Sequence, residues 1–142
     1  MRLDDDEARA RLARHDHGVL CTVHPDRGAD AVPAVYAVDD DGYLGIPVDR
    51  VKPKASTHLQ RERNVAADPR ATLLIEHWNR DDWSRLWWVR AELLAEPDGS
   101  PRAADLSHRL ADRYPQYAGE PFERVLVLRI VRVTGWSADP AG

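Results

Sequence analysis

The stretch VLCTVHPDRGADAVPAVYAVDDDGYLGIPV, Val19 to Val48, decides the fold. It reads as three short strands, 19–23, 30–38 and 43–48, because β-branched and apolar residues alternate between clusters of turn formers. The first pair is joined by Pro25-Asp26-Arg27-Gly28, which is turn chemistry. The second is joined by Asp39-Asp40-Asp41-Gly42, whose Asp-Gly pair signals a hairpin. Pro33 and Pro47 fall inside predicted strands. A proline has no ladder donor, so each is expected at an edge, at a bulge or where the sheet opens.

Outward from this meander, residues Asp4 to His15 read as a short amphipathic helix with Asp4, Asp5, Asp6 and Glu7 at its start, where the helix dipole favours negative charge. Gly18 offers a left-handed exit. Downstream, Ser56 or Thr57 can cap a helix that runs to about Ala67 and ends at Asp68-Pro69. Residues 70–78 and 84–96 read as longer strands. Leu106, Leu110 and Tyr114 are spaced for one face of a third helix, and 124–138 is a long β-branched strand. The order predicts a mainly β domain over 1–142: a six-stranded antiparallel split or closed barrel with about three helices. An open α+β sandwich is the structural alternative.

The chain has 142 residues, 43% hydrophobic and 31% charged, which is ordinary globular composition. Its formal net charge of -4 argues against nucleic-acid binding, which wants a basic face. No apolar run approaches the roughly 20 residues that span a bilayer. The start, MRLDDDEARARL, lacks the basic and apolar regions of a signal peptide, and the single Cys21 suits a reducing compartment. The expectation is a cytoplasmic protein with no membrane partner.

The six histidines, 15, 17, 24, 58, 77 and 108, show no metal-ligand spacing, so no metal is expected. Cys21 reads as a buried thiol within a strand. Ser84 and Ser137 lack a nucleophile-elbow glycine frame, and there is no GxGxxG or Walker loop. Two features remain. VKPKAS, Val51 to Ser56, holds both lysines of a chain whose other cationic residues, histidine aside, are all arginine. An ammonium is a compact point charge suited to phosphate, and a helix start with Ser56, Thr57 and, one turn on, Arg61 adds donors. Five tryptophans, 78, 83, 87, 88 and 136, are many for this length. Trp87 and Trp88 must face opposite sides of a strand, so one fills the core while the other meets solvent, a partner chain or a ligand.

The segments LARHDHGVLCTVHPDRGADAVPAVYAV, GIPVDRVKPKASTHLQRERNVAADPRATLLI and WSRLWWVRAELL resemble the split β-barrel superfamily of pyridoxamine 5′-phosphate oxidase, over about Leu12 to Trp136. Within it the chain looks like the actinobacterial branch that uses the deazaflavin coenzyme F420. The resemblance implies a homodimer with two cofactor sites between subunits. It places the cofactor ring along Val32, Pro33, Ala34 and Val35 and along Ile46, Pro47 and Val48. It places the phosphate end at Lys52, Lys54, Ala55 and Ser56, with Trp87 or Trp88 of the other chain as aromatic cover. The implied reaction is hydride transfer from reduced F420 to a small conjugated acceptor, with the hard chemistry carried by the cofactor and no catalytic side chain named. FMN in place of F420, or a dimer that holds a flavin, deazaflavin or haem without turnover, are the alternatives. The family's arginines for substrate phosphate have no equivalent in the C-terminal TGWSADPAG, so pyridoxamine phosphate oxidation itself is not implied.

Overall fold

The computed structural model describes residues 1–49, 59–120 and 122–139. The chain runs α1 (Asp5–Arg14), β1 (Gly18–His24), β2 (Gly28–Ala34), β3 (Ala37–Val38), β4 (Tyr43–Asp49), α2 (Gln60–Ala67), β5 (Arg70–His77), β6 (Trp87–Ala95), α3 (Ala103–Arg113) and β7 (Phe122–Ser137). Short 3-10 turns at Trp83–Arg85 and Pro115–Tyr117 precede β6 and β7. The strands form one antiparallel sheet, unclosed, in the order β2-β1-β5-β6-β7-β4-β3: a mainly β split barrel with three α-helices among the described residues. None of these helices is long and apolar enough to cross a membrane.

Among the described residues there are seven strands, not the expected six, because the 30–38 stretch breaks at Val35 and Tyr36. β2 pairs with β1 as far as Ala34 opposite Gly18. Tyr36 then turns fully inward, its hydroxyl donating to the Leu12 carbonyl at 2.5 Å. The next two residues pair instead with Gly45 and Leu44 of β4, at the far edge of the sheet. One buried ring thus diverts the chain from one sheet edge to the other. The hairpin turns do use positive-φ glycines, at Gly28 and Gly42.

Gly18 does not form a left-handed exit; it is the first residue of β1, and α1 ends with His15 in extended conformation. Glycine is required there for proximity, since a Cβ would stand 2.7 Å from the Leu74 carbonyl oxygen of β5. Likewise the strand expected from residue 84 begins only at Trp87, because Asp82 caps the 3-10 turn through the Ser84 amide.

Inward residues of the sheet, among them Leu20, Leu73, Ile75, Val89, Ala91 and Leu128, make the main core, with Ala8 and Leu12 of α1 closing it. Leu106 and Leu110 bury the apolar face of α3 against β3, β4 and β7, and Gly45 lets that helix approach: a Cβ there would meet Leu106 Cβ at 2.9 Å. The third helix, α2, is held by polar contacts. The fully buried Asn64 amide donates to Thr22 Oγ1 at 2.9 Å and Asp30 Oδ2 at 3.0 Å, and accepts from Gln60 Nε2 at 2.8 Å. Glu62, also buried, accepts from the Arg124 guanidinium at 2.6 Å and from the Leu59 amide at 2.9 Å. Replacing Asn64 with Ala leaves Thr22 and Gln60 short of a partner and is expected to cost about 2 kcal/mol. A thermal midpoint several degrees below wild type in a melting scan checks this; an unchanged midpoint would mean α2 is not anchored by this residue.

Candidate functional site

Both flagged prolines lie on strand edges that face no strand. β2 is the terminal strand of the sheet, and Pro33 pairs only with Val19. Pro47 pairs with Val125 of β7, while β3 covers β4 only at Leu44 and Gly45, so the other side of Pro47 is open. Between these edges lies a cleft of about 300 Å³ lined by Pro33, Ala34, Val35, Ile46 and Pro47, with His17, Asp49, Arg61 and Tyr117 around them. That volume is at the lower end of the roughly 300–1,000 Å³ typical of pockets that enclose a ligand. His17, Pro33 and Asp49 are exposed at its rim.

The structure therefore brings together six residues named from the sequence, the five wall residues and Arg61. Val32 lies just outside, on the exposed part of β2, and Val48 is fully buried in the core. Lys52, Lys54, Ala55 and Ser56, and the Thr57 cap, fall outside the described residues; as described, α2 starts at Gln60 after Leu59. Neither tryptophan lines this cleft. Trp87 is the inward one and packs on the main core, with His15 edge-on at 5.3 Å, His77 stacked at 6.3 Å and the Arg11 guanidinium 5.0 Å from its ring centre. Trp88 is on the outer sheet face, opposite Trp136 and under the Arg90 guanidinium at 5.4 Å.

His17, Asp49 and Tyr117 line the cleft without having been named from the sequence. Asp49 reaches it because the β4–β7 register shifts after Val48, where Asp49 pairs with Phe122. Tyr117 comes from the 3-10 turn after α3, and no local pattern around Tyr-Pro-Gln-Tyr marks it as a site residue. Its hydroxyl donates to Asp49 Oδ1 at 2.9 Å. Burial, then the Asp49 carboxylate, pushes its pKa up to about 12, so it is a neutral phenol at physiological pH.

Arg61 is the cation of the cleft. Its Nη2 donates to the Pro47 carbonyl at 3.1 Å, which satisfies an acceptor on the open strand edge. Its Nε is buried and has no partner among the described residues, and none of their ion pairs includes it. A buried guanidinium nitrogen without an acceptor is costly. The donor set thus fits a ligand with a flat apolar body for the proline walls and an anionic or acceptor group for Arg61.

At the head of β1, His15 stacks on His17 at 6.1 Å, and the Arg113 guanidinium donates to the carbonyls of Ala13 and His15. Burial, and then the charge of His17, hold the His15 pKa below its ordinary value of 6.5, with Arg113 and His77 adding to this and Asp16 opposing it. An unfolded chain binds that proton first. Stability is therefore complete above pH 6.5 and falls as the pH drops through the interval below it. The His15→Phe variant is expected to flatten this acid-side loss in denaturant titrations; a wild-type slope in the variant would place the titrating group elsewhere.

The family profile described as pyridoxamine 5′-phosphate oxidase matches residues 4–137. No curated protein matches the sequence. Among solved structures, a FAD-binding protein from Mesorhizobium loti is similar with a TM-score of 0.68 at 17% identity, over 95% of this chain and 93% of that one. The haem-storage protein of Vibrio cholerae gives 0.64 at 11% identity over 94% of both chains. An F420 reductase gives 0.59 at 22% identity, over 88% of this chain and 94% of that one. At these identities the likenesses show the shared fold. With the profile spanning nearly the whole sequence, the chain belongs to the pyridoxamine 5′-phosphate oxidase family.

Proposed function

We propose that this protein is an oxidoreductase that transfers hydride from reduced coenzyme F420 to a small conjugated acceptor such as an enone or quinone. The observation that carries the reading is the Arg61 guanidinium, with its Nε unpaired among the described residues, at the edge of a proline-walled cleft. A bound deazaflavin supplies hydride-transfer chemistry, and the protein supplies orientation and exclusion of water. Pro33 and Pro47 offer apolar walls with no amide donor of their own, and Ala34 and Val35 leave room for a planar ring. Arg61, with Lys52 and Lys54 of the adjoining segment, draws the anionic end to one side. The similarity to an F420 reductase supports this cofactor; the FAD-binding and haem-storage relatives support FMN, or a carrier role without turnover, as the second reading.

The working unit in this proposal is a homodimer. Val19, Leu74 and Val131 are 38%, 37% and 49% exposed on the outer side of the sheet, and Trp88 and Trp136 lie on the same side. Exposed Arg90 and Glu92 alternate beside them, so a second copy can bury apolar surface and pair charges at once. Trp88 of that copy is the aromatic cover proposed for the ring.

Titration of the purified protein with F420 and with FMN, read by tryptophan fluorescence, tests the cofactor. F420 is expected to quench strongly and to support hydride transfer across an acceptor panel; binding without turnover favours the carrier, and FMN alone favours the second reading. Replacing Lys52 and Lys54 together with Ala should weaken F420 binding by about 2–4 kcal/mol, and unchanged affinity would remove that segment from the site. Leu74→Arg is expected to convert a dimer to a monomer in sedimentation equilibrium; a wild-type monomer would end the dimer proposal.

A further inference from the structure

Reduction of a conjugated acceptor needs a proton as well as a hydride. When hydride reaches the β-carbon of an enone, the C=C electron pair moves toward the carbonyl oxygen as an enolate, and the α-carbon must then gain a proton. The polar side chains that line the cleft among the described residues are His17, Asp49, Arg61 and Tyr117. An arginine does not give up its proton in a protein. Tyr117 commits its one O–H to Asp49 Oδ1 at 2.9 Å and holds it to a pKa of about 12, while the Asp49 carboxylate is the acceptor of that bond. His17 is left, and histidine is the side chain that takes up and releases protons near neutral pH. Its backbone is pinned on both sides. The Arg113 guanidinium donates to the carbonyls of Ala13 and His15, the Tyr114 hydroxyl donates to that of Asp16 at 2.5 Å, and the next residue, Gly18, pairs with Ala34 of the cleft wall. The imidazole stacks on His15 with ring centres 6.1 Å apart and makes no hydrogen bond or ion pair among the described residues. It is exposed, so solvent can return a proton to it after each turnover. The titratable and charged groups around it are His15 and Asp16 beside it in the chain, Arg113 of α3, and Arg61, Asp49 and Tyr117 in the cleft.

We infer that His17 is the catalytic acid of the proposed reduction, giving the proton that completes each hydride transfer. This role rests on the hydride-transfer reading above. Hydride makes the new C–H bond at the β-carbon, and an imidazolium N–H bond breaks as the one at the α-carbon forms. The acceptor gains two electrons, and two leave the reduced coenzyme together with a proton that passes to solvent. Solvent then returns a proton to the neutral imidazole. His17 thus has no part in holding the coenzyme, and its effect depends on how basic the reduced acceptor is. An enone leaves a strongly basic enolate that needs an acid. A quinone leaves a hydroquinone anion, a far weaker base that does not.

The test compares wild type, His17→Asn and Tyr117→Phe, each loaded with F420, with thermal midpoints and F420 dissociation constants to confirm that all are folded and bind. Single-turnover oxidation of the reduced coenzyme is followed with 2-cyclohexenone and with menadione across pH. His17→Asn is expected to slow the enone reaction about a hundredfold or more and the quinone reaction less than about threefold. The wild-type enone rate should fall as pH rises through the imidazole range, and the variant's should not. A second readout needs no turnover: 4-nitrophenol, a mimic of the enolate, is bound to protein holding oxidised F420 and titrated by its phenolate absorbance. Wild type is expected to lower the ionisation midpoint of the bound phenol, and His17→Asn to move it back up toward the free value. Equal slowing with both acceptors marks a structural effect and overturns the role of His17, as do an enone rate and a phenol midpoint that stay at wild type in His17→Asn. Loss of the enone rate in Tyr117→Phe but not in His17→Asn places the acid at Tyr117 and overturns it too. In each of these cases the hydride-transfer reading stands. If wild type passes hydride to neither acceptor, that reading falls and the role of His17 with it.

Discussion

Two strand edges that no strand covers are the constraint on which the site depends. An unpaired edge exposes donors and acceptors that recruit other strands, and proteins blunt such edges with proline. Here Pro33 and Pro47 each lack an N–H beside one gap, and Arg61 takes the carbonyl of Pro47. The gap is left unpaired by strand, with fewer free groups to recruit one. Its cause lies in the diversion of the chain at Tyr36, whose buried ring and bond to the Leu12 carbonyl send β3 to the opposite edge of the sheet. A continuous strand over 30–38 would stay beside β1, and the cleft would have a different wall.

This explains which parts were legible in the sequence. Alternation and turn chemistry carry the strands and hairpins, since period-two burial and Asp-Gly turns are local properties. Proline in a strand is likewise a local signal with a definite steric meaning, and it pointed at the cleft walls. The break at Tyr36 was not legible, because nothing local separates an inward aromatic that continues a strand from one that ends it. Asp49 and Tyr117 were hidden for a related reason. One depends on a register shift against β7, and the other on a turn 68 positions away in the chain, so only the fold joins them. Gly18 misled because glycine serves two purposes. Its spacing after α1 suggested a turn, while the real demand was a close approach to Leu74.

The helix that carries Arg61 shows how the site is kept rigid. At 8 residues, α2 is too short to persist on its own, so tertiary contacts must hold it. Three of its side chains bind different strands: Arg61 reaches the Pro47 carbonyl of β4, Glu62 pairs with Arg124 of β7, and Asn64 bonds Thr22 of β1 and Asp30 of β2. Anchoring on several sides fixes the backbone of Arg61, and the Pro47 carbonyl holds its guanidinium at the cleft edge. Arg61 therefore keeps a buried, unpaired Nε where a freely moving side chain would hydrate it. The polar anchoring of α2 and the unmet donor in the cleft are linked: the contacts that fix the helix also fix where Arg61 projects from it, so in the proposed reading little of a ligand's binding energy would be spent ordering the protein.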